Sequence, residues 1–409
     1  MNKGSVTVVL GLQRGDEGKG RFVDEIASSH DIVARFNGGP NAGHTVVLPD
    51  GTELDLHTVP SGISHSGVVN VIGNGCLIDP VKLVQEFNDL KSKGVKVTPE
   101  NLKISTSAHL ILPSHIVSDK ARENSTSAQG STSSGIAQVS ADKYLRAGLT
   151  LGQAIANPEL LREKTNSNQE YINAIKQLAD FSTDTVIYVN QQLSSGKKVL
   201  AEGAQAFLLD IDHGMYPFTT SSTTTVGGVC TGLGIPAKYI NKVIGVVKAT
   251  QSHVGGGPFV TEITDETQLN NLRGKQTEVD GEFGTTTGRA RRMGHLDLPQ
   301  IKRAIMVNGI THIAITKLDC VPRFGNKIQV CTSYKGVGDI APVSADALAH
   351  SSPEYENSPS WAEDISLITE FSKLPENAQN YVKFIEQKLA TPIFRIGVGP
   401  NRTQVIKKD

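Results

Sequence analysis

Apolar residues in this chain fall into short runs that stop at glycine or polar loops, the pattern of buried strands feeding surface loops. Residues 6–10 form the first such run and end at Gly11. Residues 11–20 follow as a polar, glycine-rich loop, and residues 22–26 open a helix. Strand, glycine loop and helix in that order form the usual entrance to a nucleotide site. Residues 199–203, 240–249 and 311–319 repeat the passage from apolar run to polar or glycine-rich stretch. Strands that deliver loops from their carboxyl ends predict an open α/β sheet with its site along one edge.

Two helices are clearly marked. Asp79 can cap the first, Pro80 suits its first turn, Gly94 can end it, and Val81, Val84, Phe87 and Leu90 recur at helical spacing. The second covers residues 379–390, with Tyr381, Val382, Ile385 and Leu389 on one face. Residues 124–134 (NSTSAQGSTSS) are small and polar, which predicts a mobile loop. No internal repeat or long linker interrupts the chain, so residues 1–409 are expected to form one domain with loop insertions.

Composition narrows the partners. With 38% hydrophobic residues over 409 positions, a core forms without disulfides. Forty basic residues against 41 acidic ones give a net charge of −1, which argues against nucleic acid or a membrane surface as the main partner. A local site for a small anion remains compatible. The four cysteines, Cys76, Cys230, Cys320 and Cys331, form no CxxC pair and no zinc spacing. They read as buried free thiols in a reducing cytoplasm. No signal-peptide core is visible at the N-terminus, and no apolar run approaches the ~18 residues of a membrane span.

Four stretches carry candidate chemistry. In Gly15-Asp16-Glu17-Gly18-Lys19-Gly20, glycines let backbone N–H groups approach phosphate oxygens and Lys19 adds positive charge. The match to a phosphate loop is partial, because Gln13 stands where that pattern has glycine, and such a loop also occurs as an ordinary turn. Asp16 is the odd member: a carboxylate beside phosphates is repelled unless a metal or a proton transfer justifies it. His44, in the glycine-rich stretch 37–45, can donate a hydrogen bond to a charged oxygen or simply be solvated. Thr316-Lys317-Leu318-Asp319 resembles the guanine-reading Asn-Lys-x-Asp motif, in which aspartate accepts from guanine N1–H and the 2-amino group together. Gly284-Thr285-Thr286-Thr287-Gly288-Arg289-Ala290-Arg291-Arg292 places three arginines after hydroxyls and glycines, which suits a carboxylate or phosphate ligand or a solvated basic turn.

Taken in order, these motifs resemble the signature blocks of the adenylosuccinate synthetase family. Residues 202–205, 209–214, 220–222 and 257–259 extend the likeness, which runs from about Val6 to Gln404. The resemblance implies a single α/β domain around a mostly parallel central sheet with helices on both sides and long functional loops. It also implies a cytoplasmic homodimer that makes adenylosuccinate from IMP, L-aspartate and GTP with Mg2+. Asp16 would be the general base at purine N1 and a magnesium ligand, with the Gly43 carbonyl as a second ligand. His44 would stabilise the transferring γ-phosphate, and Gln205 would contact the purine 6-position. Glu17, Gly18, Lys19, Gly20, Arg291, Lys317, Asp319, Gly399 and Pro400 would hold GTP. Asn41, Thr132, Thr220 and Arg289 would hold the monophosphate, with Arg146 reaching it from the neighbouring subunit. Thr286, Thr287 and Arg289 would bind aspartate.

The chain departs from the family pattern in its substrate surroundings. Arg14 and His295 stand where tryptophan is usual, His253 where arginine is common, and Thr223 where asparagine is usual. Ser134 stands in place of an arginine. Three readings stay open: a divergent IMP enzyme, a paralogue acting on GMP or dGMP, and a GTP-binding protein without catalysis. Retention of Asp16 favours IMP.

Overall fold

The computed structural model describes residues 4–125, 130–278, 281–284 and 288–408. The fold is α/β, with a large, mostly parallel sheet flanked by helices. Backbone proximity divides the chain into two compact units. The first comprises Met1–Val9, Gly20–Ala204 and Thr220–Asn241; the second comprises Leu10–Lys19, Gln205–Thr219 and Lys242–Asp409.

In the first unit, strands Ser5–Gly11, Lys198–Glu202, Ile32–Arg35, Val69–Ile72, Leu102–Ser105 and Ser182–Thr183 lie side by side in that order. Every neighbouring pair is parallel. Val33, Ala34, Val199, Leu200 and Ala201 are inaccessible to solvent, so both faces are covered. Strands covered on both faces read as unbroken apolar runs rather than alternating ones, which is why they stand out in the sequence.

The helix Pro80–Ser92 starts where predicted, with Asp79 accepting from the Val81 and Lys82 N–H groups at 3.2 Å. Its core face is wider than the expected one, with Val81 and Val84 packed at its margin. Leu83, Phe87 and Leu90 are buried together with Glu86, while Val81 and Val84 are half-buried. The Glu86 carboxylate accepts the backbone N–H groups of His57, Thr58 and Val59 at 2.8–3.1 Å. Buried amides need acceptors, and satisfying three of them turns this face of the helix inward.

In the second unit, strands Ile240–Lys248, His312–Thr316 and Ile393–Gly397 run parallel, and Val405–Lys407 closes the edge antiparallel. The strand expected over 311–319 stops at Thr316. Lys317 takes a left-handed conformation (φ 56°) and a 3-10 turn, Leu318–Phe324, begins after it. The C-terminal helix Glu376–Leu389 buries Tyr381, Val382, Ile385 and Leu389 as its spacing predicts. The Tyr381 hydroxyl donates to the Ala249 carbonyl at 3.0 Å, which satisfies a group that burial would otherwise strand.

Part of the polar stretch 124–134, residues 126–129, lies outside the described residues. Its described end is anchored: the Ser131 hydroxyl and the Gly135 N–H both donate to buried Asp119, at 3.1 and 2.8 Å.

Candidate active site

The loop after the first strand, residues 10–19, belongs to the second unit and is organised from inside. Buried Glu17 accepts from the Gln13 and Gly15 N–H groups with one oxygen and from Lys19 Nζ, at 2.7 Å, with the other. Its carboxylate therefore faces into the loop. The Thr316 hydroxyl donates to the Glu17 carbonyl at 2.7 Å, fastening the loop to the end of the neighbouring strand. Gln13 exchanges hydrogen bonds with the Lys248 backbone, which sets the loop's other end. Asp16 stands in a left-handed conformation (φ 60°) beside Gly15 and Gly18, both also at positive φ. A non-glycine residue held there is strained, a condition concentrated at functional sites. Of the eight non-glycine residues with positive φ among those described, four are candidate site residues: Asp16, Arg146, Gln205 and Lys317.

Asp16 does not stand free. Arg291 Nε lies 3.0 Å from its carboxylate, and Arg291 Nη1 donates to Glu282 at 2.7 Å. Glu282 is the hub of the second unit's charges. It also binds Lys317 at 2.6 Å and Lys248 at 3.1 Å, and the Ser252 hydroxyl donates to it at 3.0 Å. Burial opposes ionisation of Glu282, but Lys248, Lys317 and Arg291 overcome it and hold the carboxyl well below its ordinary range. Burial also pushes Lys248 down to about 8, with Glu282 partly offsetting it, so the amine remains a cation at neutral pH. Arg291 is stabilised in its charged form because Asp16 and Glu282 outweigh burial. One carboxylate thus ties the candidate guanine reader Lys317 to the arginine that grips Asp16. The sequence reading missed Glu282, whose only signal is that it stands just before the arginine-rich stretch.

Asp319 is half-buried at the start of the 3-10 turn. Gly399 is buried and Pro400 exposed in the turn before the last strand, where Val398 N–H donates to the Gln404 carbonyl. Arg289 is exposed. Thr286 and Thr287 lie outside the described residues. Gln205 carries both amide atoms, Nε2 and Oε1, buried and without a hydrogen-bond partner among the described residues. A buried amide in that state offers one donor and one acceptor to a ligand.

The first unit holds the histidine. His44, buried, donates from Nδ1 to Glu202 Oε1 at 2.5 Å. Glu202 also accepts the Ser61 N–H at 2.8 Å and the Ser61 hydroxyl at 2.6 Å. Burial opposes its charge, but the hydrogen bond and charge of His44, with Arg35 and Ser61, hold the carboxyl below its ordinary range. The contact through Nδ1 fixes the orientation of the His44 ring. Gly20 lets the histidine approach, since a Cβ there would lie 2.4 Å from the His44 Cβ. Asn37, also missed, exchanges two hydrogen bonds with the Ala204 backbone and fixes the turn that precedes Gln205.

Asn41, Gly43, Thr132 and Thr220 are all half-buried in this unit. Ser134, in place of the usual arginine, is buried and accepts from the Thr132 hydroxyl at 3.0 Å. Thr223 is half-buried. Arg146 ends the helix Ile136–Leu145 and is exposed. In the second unit His295, standing where tryptophan is usual, stacks its ring on Phe324 and meets Tyr355 edge-on, each at 5.3 Å. Burial lowers it to about 4, so it packs as a neutral ring.

A family model described as adenylosuccinate synthetase matches residues 8–176 and 166–406. An adenylosuccinate synthetase of Halothermothrix orenii is 41% identical, over 98% of this chain and 98% of that one. One of Chlorobium chlorochromatii is 42% identical, over 98% of this chain and 96% of that one. Among solved structures, fully ligated adenylosuccinate synthetase of Plasmodium falciparum superposes with a TM-score of 0.88 at 37% identity, covering 99% of this chain and 100% of that one. The succinoaminodeoxyadenylate synthetase of cyanophage S-2L shares the fold at a TM-score of 0.68 and 21% identity, covering 99% and 96% of the two chains.

Proposed function

The chain belongs to the adenylosuccinate synthetase family, and we propose that it joins L-aspartate to IMP with GTP as phosphoryl donor, in the branch of purine biosynthesis that leads to AMP. The observation that carries this reading is Asp16. A loop built to meet phosphates holds a carboxylate in strained backbone, with Arg291 3.0 Å away. Phosphate binding alone gives no reason for an acid there, whereas proton abstraction and a metal ligand both do.

Oxygen on purine C6 is a poor leaving group. Asp16 accepts the N1 proton, which shifts electron density onto O6 and makes it the nucleophile. O6 attacks the γ-phosphorus of GTP and GDP departs. His44, oriented by Glu202 and acting as the imidazolium, donates from Nε2 to the transferring phosphoryl oxygens, and Lys19 supplies charge to the phosphates. The aspartate amine then attacks C6 and phosphate leaves, giving adenylosuccinate. Gln205 offers its unpartnered amide to the purine 6-position. The guanine base is read by Asp319 and Lys317, with Gly399 and Pro400 beside it. Glu17, Gly18 and Gly20 give the phosphates backbone rather than side-chain contacts. Asn41, Thr132, Thr220 and Arg289 hold the monophosphate, and Thr286, Thr287 and Arg289 the aspartate carboxylates, with Arg291 close to both aspartate and GTP.

The donor chemistry suits magnesium. Asp16 offers a carboxylate with a side chain 30% exposed, and Gly43 a half-buried carbonyl. Mg2+ takes such hard oxygens, one or two from protein and the rest from phosphate and water. When bound, it would neutralise charge developing on the phosphoryl oxygens.

A homodimer, with Arg146 serving the partner's site, fits the exposure around that arginine. Val117, Tyr144 and Leu145 are 68%, 82% and 72% exposed on the helices Pro113–Glu123 and Ile136–Leu145. Exposed apolar side chains grouped in this way mark association surfaces. Four free thiols suit a cytoplasmic location, and no helix among the described residues is long and apolar enough to cross a membrane.

Full-length identity of 41% to proteins named adenylosuccinate synthetase supports IMP over GMP or dGMP. The test is an aspartate- and GTP-dependent absorbance assay across IMP, dIMP, GMP and dGMP. IMP is expected to turn over at least ~10-fold more efficiently than the guanine nucleotides. Turnover with dGMP alone would move the substrate, and turnover with none would leave a GTP-binding protein.

A further inference from the structure

Three basic side chains converge on one short loop of the second unit. Arg292 Nη1 donates to the Gly257 carbonyl at 2.9 Å and to the Gly255 carbonyl at 3.4 Å. His253 Nε2 donates to the Gly256 carbonyl at 3.1 Å. Arg14 Nη2 donates to the Pro258 carbonyl at 2.8 Å. Four successive carbonyls, residues 255–258, are therefore each held by a side chain. The next residue, Phe259, is buried with the Arg14 guanidinium over its ring at 4.6 Å and that of Arg292 at 5.4 Å. Arg292 is itself fixed by a bidentate pair with Glu262, at 2.5 and 2.6 Å.

The clamp joins two functional segments. Arg14 lies two residues before Asp16, in the loop whose other anchors are Gln13 and Glu17. Asp16 and Arg14 are both among the charges that His253 feels. Glycine-rich backbone has little stiffness of its own, so a loop of this composition holds one position only if its carbonyls are tied down. Within the clamp, two departures from the family pattern exchange a guanidinium: arginine appears at 14 and is replaced at 253.

We propose that Arg14 and His253 are positioning residues which, with Arg292, lock the 255–258 loop against the Asp16 loop, the guanidinium being supplied from residue 14 instead of residue 253. The effect on catalysis rests on the reaction assigned above, because it acts through the placement of Asp16 at the purine. The guanine-reading residues Lys317 and Asp319 lie outside the clamp, whereas the Asp16 loop meets both the purine and the GTP phosphates, so the kinetic effect falls on the phosphoryl-transfer step rather than on base selection.

A double-mutant cycle tests it on the full-length protein. Arg14→Met unties Pro258 and removes the charge from Phe259. It should lower kcat/KM for IMP by ~10- to 100-fold while leaving the preference for GTP over ATP within about twofold. His253→Arg alone adds a third guanidinium beside Arg14 and Arg292 and should also lower kcat/KM. The double variant returns one guanidinium to the clamp and should recover to within a few-fold of the native value. Amide hydrogen exchange of residues 255–257 and 259 gives a readout that needs no turnover: Arg14→Met should speed it ~10-fold or more, and the double variant should slow it again. Gly255→Ala is a second disruptor that leaves charge untouched, since its Cβ would sit 2.9 Å from His253 Nε2 and push the ring off Gly256. It should speed exchange in the same segment. Losses that multiply in the double variant, or exchange that neither disruptor changes, would overturn the clamp. Failure of the native protein to use IMP would remove the reaction instead, and exchange would still decide the clamp.

Discussion

His44 and Glu202 form one buried unit, with Nδ1 donating to Oε1 at 2.5 Å. The other two donors on Glu202 come from Ser61, so three donors meet a group that serves them as an acceptor only. Glu202→Gln puts an NH2 group against one of these donors and turns the histidine. We expect kcat to fall ~10²-fold or more with the fold retained, measured by initial rates beside a thermal melt. Native turnover in this variant would show that His44 needs no orienting partner.

GTP should outperform ATP strongly. Asp319 accepts a pair of donors that only guanine has, and each buried acceptor left unpaired costs about 1–3 kcal/mol. Asp319→Asn should weaken GTP and improve xanthosine triphosphate, whose C2 carbonyl pairs with the amide. Lys317 complicates the reading in a useful way. Its amine is shared with Glu282 at 2.6 Å, so the base specificity of Asp319 variants is to be measured as kcat/KM ratios within one variant. Equal rates with ATP and GTP in the native protein would remove the guanine-reading role.

The sheet was legible because its central strands are covered on both faces and so stay apolar throughout. The loops were legible by their residue types, Asp16, His44, Lys317 and Arg291 among them, and by resemblance. What organises them was not. Glu86, Glu202, Glu282 and Asn37 act by accepting from backbone and side-chain groups far away in sequence, and a lone glutamate inside an apolar run carries no mark of which amides it will meet. The helix Pro80–Ser92 shows the consequence: its apolar spacing shows Val81, Val84, Phe87 and Leu90, which all pack on one core, but not that Glu86 is buried beside Leu83 to satisfy three amides.

Asp297 offers a test through pH. Burial pushes its carboxyl up to about 6, although the Tyr334 hydroxyl donates to both its oxygens at 2.7 and 2.9 Å. Because the folded value exceeds the unfolded one, the folded state binds the extra proton between about pH 4 and 6. The stability contributed by that proton is complete below the window and lost as pH rises through it. Asp297→Asn keeps an acceptor for Tyr334 and for the Gln300 N–H but removes the titration. The native-minus-variant difference in melting temperature should therefore fall as pH rises from 4 to 6 and stay flat above. A difference that is flat throughout, or rises, would mean that Asp297 ionises normally.

Subunit exchange tests the shared site. Arg146 ends its helix in a left-handed conformation, is exposed, and stands beside exposed Tyr144 and Leu145. An arginine there has no reason to serve its own chain's buried groups. If it reaches the partner's monophosphate, Arg146→Leu and Asp16→Asn should each abolish activity, the first by removing phosphate charge and the second by removing the base. In a mixed dimer, one site pairs a native Asp16 with a native Arg146 and the other has neither. Random exchange of equal amounts makes about half the dimers mixed, each with one working site, so activity should return to roughly a quarter of native. Exchange is verified first by tagging one variant and recovering the other with it. Mixed dimers as inactive as either parent would place Arg146 in its own chain's site or outside catalysis.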